Sequence, residues 1–256
     1  MAHVPNSAEQ YEKMIGTPIP QLVSSLAIPT TISMLVTVIY NTADTVVVGR
    51  FVGTEALAAV GGSTSQIINL IVGFFTGLAS GATVVISQHY GAKQEDGVQK
   101  ALHTAYAFSV VGGIIISIMG ILITRPLLKL MNTPDNIIDL SATYLCIYFA
   151  GLVFVFIYNV GAGILRAVGD SRRPLYFLIL CCFINVVLDI ILIVFLKMGV
   201  AGAAIATTFS QGISAVMVTV TLCRTTDIFR LRVKKIRFHA QPMGMIVKIG
   251  LPAGLQ

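Results

Sequence analysis

Ser33, Thr37, Tyr40 and Asp44 follow one another at steps of three or four residues, so a helix would carry them as one polar stripe ending in a carboxylate. The segment around them, LVSSLAIPTTISMLVTVIYNTADTVVV (22–48), is otherwise apolar and long enough to cross a bilayer. An acid inside such a segment has no reason to face lipid, and it marks a functional site by default. Of the 11 acidic residues, only one other, Asp189, sits well within an apolar run. Asn185 precedes it by four residues, which places amide and carboxylate on one helix face. Two carboxylates with amide and hydroxyl oxygens suit a hard monovalent cation, or a proton shared between the acids. Brought together in a low dielectric, the two acids cannot both stay ionised unless something positive joins them.

The elements that would position these groups are membrane helices. Apolar residues make up 55% of the chain and charged residues 11%, with a mean hydropathy of +0.86. A soluble domain carries about a quarter charged residues, so the composition predicts an all-α, polytopic membrane bundle. Six full spans are expected at 22–48, 57–87, 102–123, 140–165, 175–196 and 200–223, with a seventh beginning near Met243. The second is over-long and is expected to emerge before Gln88. The corresponding organisation is an N-terminal segment (1–20), a six-helix lobe (21–223), a basic linker (224–242) and the start of a second lobe (243–256).

With the N-terminus inside, the outer segments hold only Arg50, Arg125, Lys129 and Lys197 of the 17 lysines and arginines. This asymmetry predicts a cytoplasmic N-terminus in a cell membrane and assigns the net charge of +6 to topology. The basic run from Arg224 to Arg237 lies between two spans, so anionic lipid headgroups are its expected neighbours rather than nucleic acid. Nothing in the first twenty residues reads as a cleaved signal. The four cysteines, Cys146, Cys181, Cys182 and Cys223, fall in or beside apolar runs without metal-ligand spacing and are expected to be core thiols. His3, His89, His103 and His239 fall in or near inner loops and are assigned no role.

Depth follows from the rise of about 1.5 Å per residue. Counted from Leu175, Asp189 lies roughly 21 Å up a core of about 30 Å. Thr207 lies about 10 Å down from the outer end of the sixth span, and Asp44 about 6 Å down from that of the first. Three spans thus put oxygen ligands in the same outer half. Asn159 and Tyr148 share a face of the fourth span, with Tyr144 one turn before, but Asn159 computes to mid-depth or lower. Gly73, Gly77 and Gly81 form overlapping GxxxG steps, and Gly202, Ala203, Ala204 and Ala206 crowd the start of the sixth span. Both groups are expected to mark close helix contacts. Pro29 in LVSSLAIPTTIS is echoed by Pro252 in MIVKIGLPAGLQ, which suggests a parallel repeat of a six-span unit and a chain forming the first half of a twelve-span protein.

From about Thr17 onward the chain resembles the multidrug and toxic-compound extrusion (MATE) transporters, within the wider group that includes lipid flippases. The resemblance rests on AIP in the first span, YNTADTVVVG followed by GTEALAAV, GAGILRAVGDSRRP, NVVLDIILI and GVAGAAIAT. It implies a twelve-helix antiporter with two six-helix lobes, whose central cavity opens alternately to each side. It further implies export of cationic amphipathic compounds driven by sodium or protons, with no cofactor. For the branch with an acid in the fifth span, it implies a cation site at Asp44, Asn185, Asp189 and Thr207, with Tyr40, Tyr144 and Asn159 around it. One lobe alone leaves the cavity incomplete, so a missing C-terminal lobe is the expected partner, ahead of a separate chain or a homodimer. Three rival functions are weighed. A lipid-linked oligosaccharide flippase should line its cavity with cations. An intramembrane aspartyl protease should carry its glycine-aspartate motif inside a helix, whereas Gly169-Asp170 falls in a loop. A non-transporting scaffold leaves the buried acids unexplained.

Overall fold

The computed structural model describes residues 19–255, which are helical throughout except for short connections and one linker. The N-terminal segment expected over 1–20 therefore lies, apart from its last two residues, outside the described residues. The helices are α1 (Ile19–Phe51), α2 (Thr54–Gly61), α3 (Ser63–Gly91), α4 (Glu95–Leu130), α5 (Asp135–Ala167), α6 (Arg172–Asp189), α7 (Gly199–Arg224) and α8 (Ala240–Gly254). Six helical stretches among the described residues are long and apolar enough to cross a membrane, so the chain is a multi-pass membrane protein.

Two elements differ from the sequence expectation. The second span is not one helix. It breaks at Gly62, whose N–H returns to the Ala58 carbonyl at 2.9 Å, and α3 then runs on to Gly91. The Gly61-Gly62-Ser63 run has the composition at which helices kink, and α2 turns aside to pack on α1 and α5. The fifth span changes pitch: α6 ends as an α-helix at Asp189 and continues as a π-helical turn over Ile190–Phe195, closed by Leu196 N–H to Ile191 O at 3.0 Å. The run IILIVF contains no breaker, so the widened turn is a product of packing. Gly202 makes room for it, since a Cβ there would lie 3.2 Å from Leu192 and 3.3 Å from Ile193. Ala203, Ala204 and Ala206 beside it are fully buried.

Helix α5 is the hub, packed against α4, α7 and α3, while α6 lies on α7 and α1 lies chiefly on α6. Glycines bring the hub close to its neighbours: a Cβ on Gly113 would come 2.9 Å from the Val153 backbone, and one on Gly151 would strike Thr208. All four cysteines are free, and Cys181 is the fully buried one. Helix α8 lies along α3. Gly77 and Gly81 of α3 face Gly250 and Gly254 of α8 so closely that a Cβ on Gly81 would meet Ile246 O at 2.5 Å and Gly250 N at 2.6 Å. Gly73, the third member of the expected stripe, has nothing within 4 Å of such a Cβ. The GxxxG stripe on α3 is thus a seat for α8 over two of its three positions. Gly81→Ala should lower stability by roughly 1–3 kcal/mol through overpacking, with Gly73→Ala neutral. Thermal unfolding of the two variants in detergent checks this, and equal melting would contradict the seat.

Candidate functional site

Between α1 and the α3–α5 pair lies a cavity of about 460 Å³, closed on its far side by α6 and α7. Helix α1 contributes Thr37, Tyr40 and Asp44 to it, so the polar stripe faces the cavity over its last two turns. Ser33, at the other end of the stripe, returns its hydroxyl to the Pro29 carbonyl at 2.8 Å. The opposite wall is aromatic: Tyr144 and Tyr148 of α5 stack with ring centroids 6.3 Å apart and planes 13° from parallel.

The structure brings Asp44, Asn185, Asp189 and Thr207 together. Asp44 lines the cavity and is 8% exposed, while Asp189 stands behind it, fully buried at the last α-helical position before the π turn. Their carboxyl groups are electrostatic neighbours across the contact between α1 and α6. Asn185 holds the inner acid. With its amide turned so that both atoms are satisfied, Nδ2 donates to Asp189 Oδ2 at 3.1 Å and Oδ1 accepts from the Thr207 backbone N–H at 3.3 Å. Thr207 projects into the cavity, and its hydroxyl is approached by Tyr40 and Tyr144.

Several oxygens in this cluster lack partners. Asp44 Oδ1, Asp189 Oδ1 and Tyr40 Oη are buried without a hydrogen bond to protein. The ion pairs among the described residues, Lys100–Asp96, Arg125–Asp139 and Arg173–Asp170, lie elsewhere. Buried polar atoms are nearly always satisfied in native proteins, so the unpartnered oxygens of this cluster stand out as capable of taking a proton or a ligand. Carboxylate, amide and hydroxyl oxygens suit a hard cation such as sodium, or a proton bound between the acids.

Asn159 stands apart from this group. It lines the same cavity, but its Nδ2 bonds the Val155 carbonyl of its own helix at 2.9 Å. Asn41, Asn69 and Gln211 also line the cavity, and Gln211 Oε1 is another buried atom without a partner. The reading of the sequence passed over all three. Asn69 and Gln211 are polar residues inside apolar spans, so the rule that singled out the acids would have found them too. Gly169-Asp170 does lie in a loop, where Asp170 accepts the Arg173 backbone N–H at 3.1 Å and pairs with its guanidinium.

Six spanning segments around a side cavity define the class as a multi-pass, all-α membrane bundle. The MatE family model matches residues 29–191, and the chain belongs to this family. It is 33% identical to a Bacillus subtilis protein named as the probable multidrug resistance protein YoeA, over 81% of this chain and 46% of that one. It is 25% identical to the multidrug export protein MepA of Staphylococcus aureus, over 96% of this chain and 54% of that protein. Among solved structures it is similar to a MOP superfamily transporter from Pyrococcus furiosus, with a TM-score of 0.88 at 28% identity over 95% of this chain and 54% of that one. It is also similar to a MATE structure in a bent conformation, with a TM-score of 0.88 at 27% identity over 99% of this chain and 55% of that one. The chain therefore spans about half the length of the relatives it matches.

The roles of the two amides separate cleanly. Asn185→Ala strands a buried carboxylate and should cost roughly 1–3 kcal/mol, whereas Asn159→Ala breaks only a bond to its own helix and should cost less. Thermal unfolding of both variants measures the difference, and equal costs would contradict the part assigned to Asn185.

Proposed function

We propose that the chain is one lobe of a secondary active multidrug efflux antiporter, exporting cationic amphipathic compounds in exchange for sodium or protons across the cell membrane, with its N-terminus cytoplasmic. The observation that carries this reading is the pair of neighbouring carboxyls, Asp44 open to the cavity and Asp189 held behind it by Asn185, with buried oxygens left unpartnered. A cation arriving from outside reaches Asp44 first and neutralises the pair. In this reading Asp44, Asp189, Asn185 and Thr207 bind the coupling ion, while Tyr40, Tyr144 and Asn159 shape the cavity wall that meets the drug.

Conversion of ion binding into movement falls to α1. It packs chiefly on α6, with smaller contacts to α2 and α7, and it carries Pro29 in its interior. A proline inside a helix removes one backbone hydrogen bond and favours bending. Neutralising the acid pair removes the repulsion between the carboxylates of α1 and α6, which lets α1 bend or shift at Pro29 and reshape the cavity. Structures similar to this chain have been solved in conformations named bent and straight.

The flippase alternative is less well supported, because no lysine or arginine lines the cavity among the described residues and an acid does. The test is ion-driven efflux of a cationic dye from membrane vesicles that hold the chain together with a second lobe. Imposed sodium and proton gradients are compared separately. Asp44→Asn and Asp189→Asn should each reduce efflux to background, and retained efflux in either variant would refute the reading.

A further inference from the structure

At the end of the bundle that carries Arg166, Arg172 and Arg224, the segment between α7 and α8 is fixed to the bundle rather than loosely looped. Phe229 and Leu231 are buried in the core, 2% exposed each. One face of α4 binds the backbone between and beyond them. Gln99 Nε2 donates to the carbonyls of Ile228 and Arg230, the Arg232 N–H donates to His103 Nε2 at 3.1 Å, and the His239 N–H donates to Thr104 Oγ1 at 3.1 Å. His103 is set for this by its other ring nitrogen, which donates to Gln99 O at 2.7 Å. His103 and His239, which the sequence left without a role, are therefore structural fasteners of the linker.

The fastened linker and the first turns of α4 enclose a second cavity of about 500 Å³, far from the acid pair. Lys100, Arg230, Arg232, Lys235 and Arg237 line it, together with Glu95, Asp96 and Asp227, and Arg230 Nε donates to the Cys223 carbonyl at 3.1 Å. Asp96 is taken by Lys100 at 2.6 Å, and Arg237 Nε donates to His239 Nε2 at 3.3 Å. Arg232 and Lys235 have no ion pair among the described residues, yet both stand on a backbone that is held in place. Between and beside them Val233 is 63% exposed and Phe238 49% exposed. The wall from α4 is its first two turns, ahead of the apolar stretch, which is the level of lipid headgroups. Cations around a pocket and bare apolar side chains on the same short segment have the character of an interfacial lipid contact.

We propose that this pocket seats the headgroup phosphate of an anionic glycerophospholipid. Arg232 and Lys235 neutralise the phosphate, while Val233 and Phe238 enter the acyl boundary beside it. A soluble phosphate would use the cations equally well but would leave the two apolar side chains in water, and this favours the lipid. The site joins α4 to the linker as far as His239, so an occupied pocket braces the segment that follows the sixth span. It does not depend on the efflux reading, because it involves none of the residues around Asp44 and Asp189.

The test is native mass spectrometry of the purified chain taken from nanodiscs of phosphatidylcholine containing phosphatidylglycerol. The chain should retain phosphatidylglycerol in preference to phosphatidylcholine. Arg232→Gln and Lys235→Gln should each lower that retention about fivefold, the worth of one basic residue at an anionic surface. Phe238→Ser should lower it as well, and Lys234→Gln, exposed but outside the pocket, should leave it nearly unchanged. Unaltered melting temperatures establish that these surface variants fold. Three results would overturn the proposal: retention unchanged in Arg232→Gln and Lys235→Gln, an equal loss in Lys234→Gln, which makes the attraction diffuse, or displacement of the lipid by millimolar inorganic phosphate, which makes the site one for soluble anions.

Discussion

Two unit charges about 4 Å apart repel by about 4 kcal/mol even at an effective dielectric of about 20. Asp44 and Asp189 are neighbours inside a membrane bundle, and among the described residues no lysine, arginine or histidine forms an ion pair with either. Two such acids cannot both stay ionised in a low dielectric unless something positive joins them. The surroundings make sense as the means of keeping that requirement in force. Asn185 spends one amide atom on Asp189 and the other on the Thr207 backbone, so the inner acid cannot turn away toward a different partner. Asp44, on another helix, is the member that the cavity reaches.

The packing distributes rigidity in keeping with this. Helix α5 is locked to α4 and α7 at glycines that admit the neighbouring chain to van der Waals contact, and α8 is seated on α3 by four glycines facing one another. Helix α1 has no such lock. Its principal neighbour is α6, the helix that carries the other acid, and many of its large apolar side chains, Met34, Leu35 and Val38 among them, are exposed. The element proposed to move is thus one that no close glycine contact ties to its principal neighbour, and the acid pair lies across the joint between it and the rest of the bundle. The fastened linker beyond α7 holds the other end of the molecule in place.

Much of this is legible in the sequence because membranes make polar residues conspicuous. An acid within an apolar run stands out by cost alone, and counting residues from each span end puts Asp44, Asp189 and Thr207 at similar depth, where the structure also brings them together. Packing details are less legible. Gly61-Gly62 reads equally well as a close contact or a kink, and only the position of α5 decides for the kink. The π turn after Asp189 is written in an apolar run that would serve any helix, so its cause lies in α7. The glycines of α3 announce a contact without naming the partner, which is α8. His103 and His239 carry no local pattern for their role, since their partners, the Arg232 backbone N–H and the Thr104 hydroxyl, lie more than a hundred residues away in the sequence.

The central claim is that Asp44 and Asp189 act as one cation-binding unit. The most direct measurement is a double-mutant cycle on the shift in melting temperature that the purified chain shows on addition of sodium or on lowering the pH, since a ligand of the folded state stabilises it. If the claim holds, Asp44→Asn and Asp189→Asn each remove the shift as completely as the double variant does, so the effects are far from additive. A shift that survives in either single variant, or losses that simply add, would contradict it.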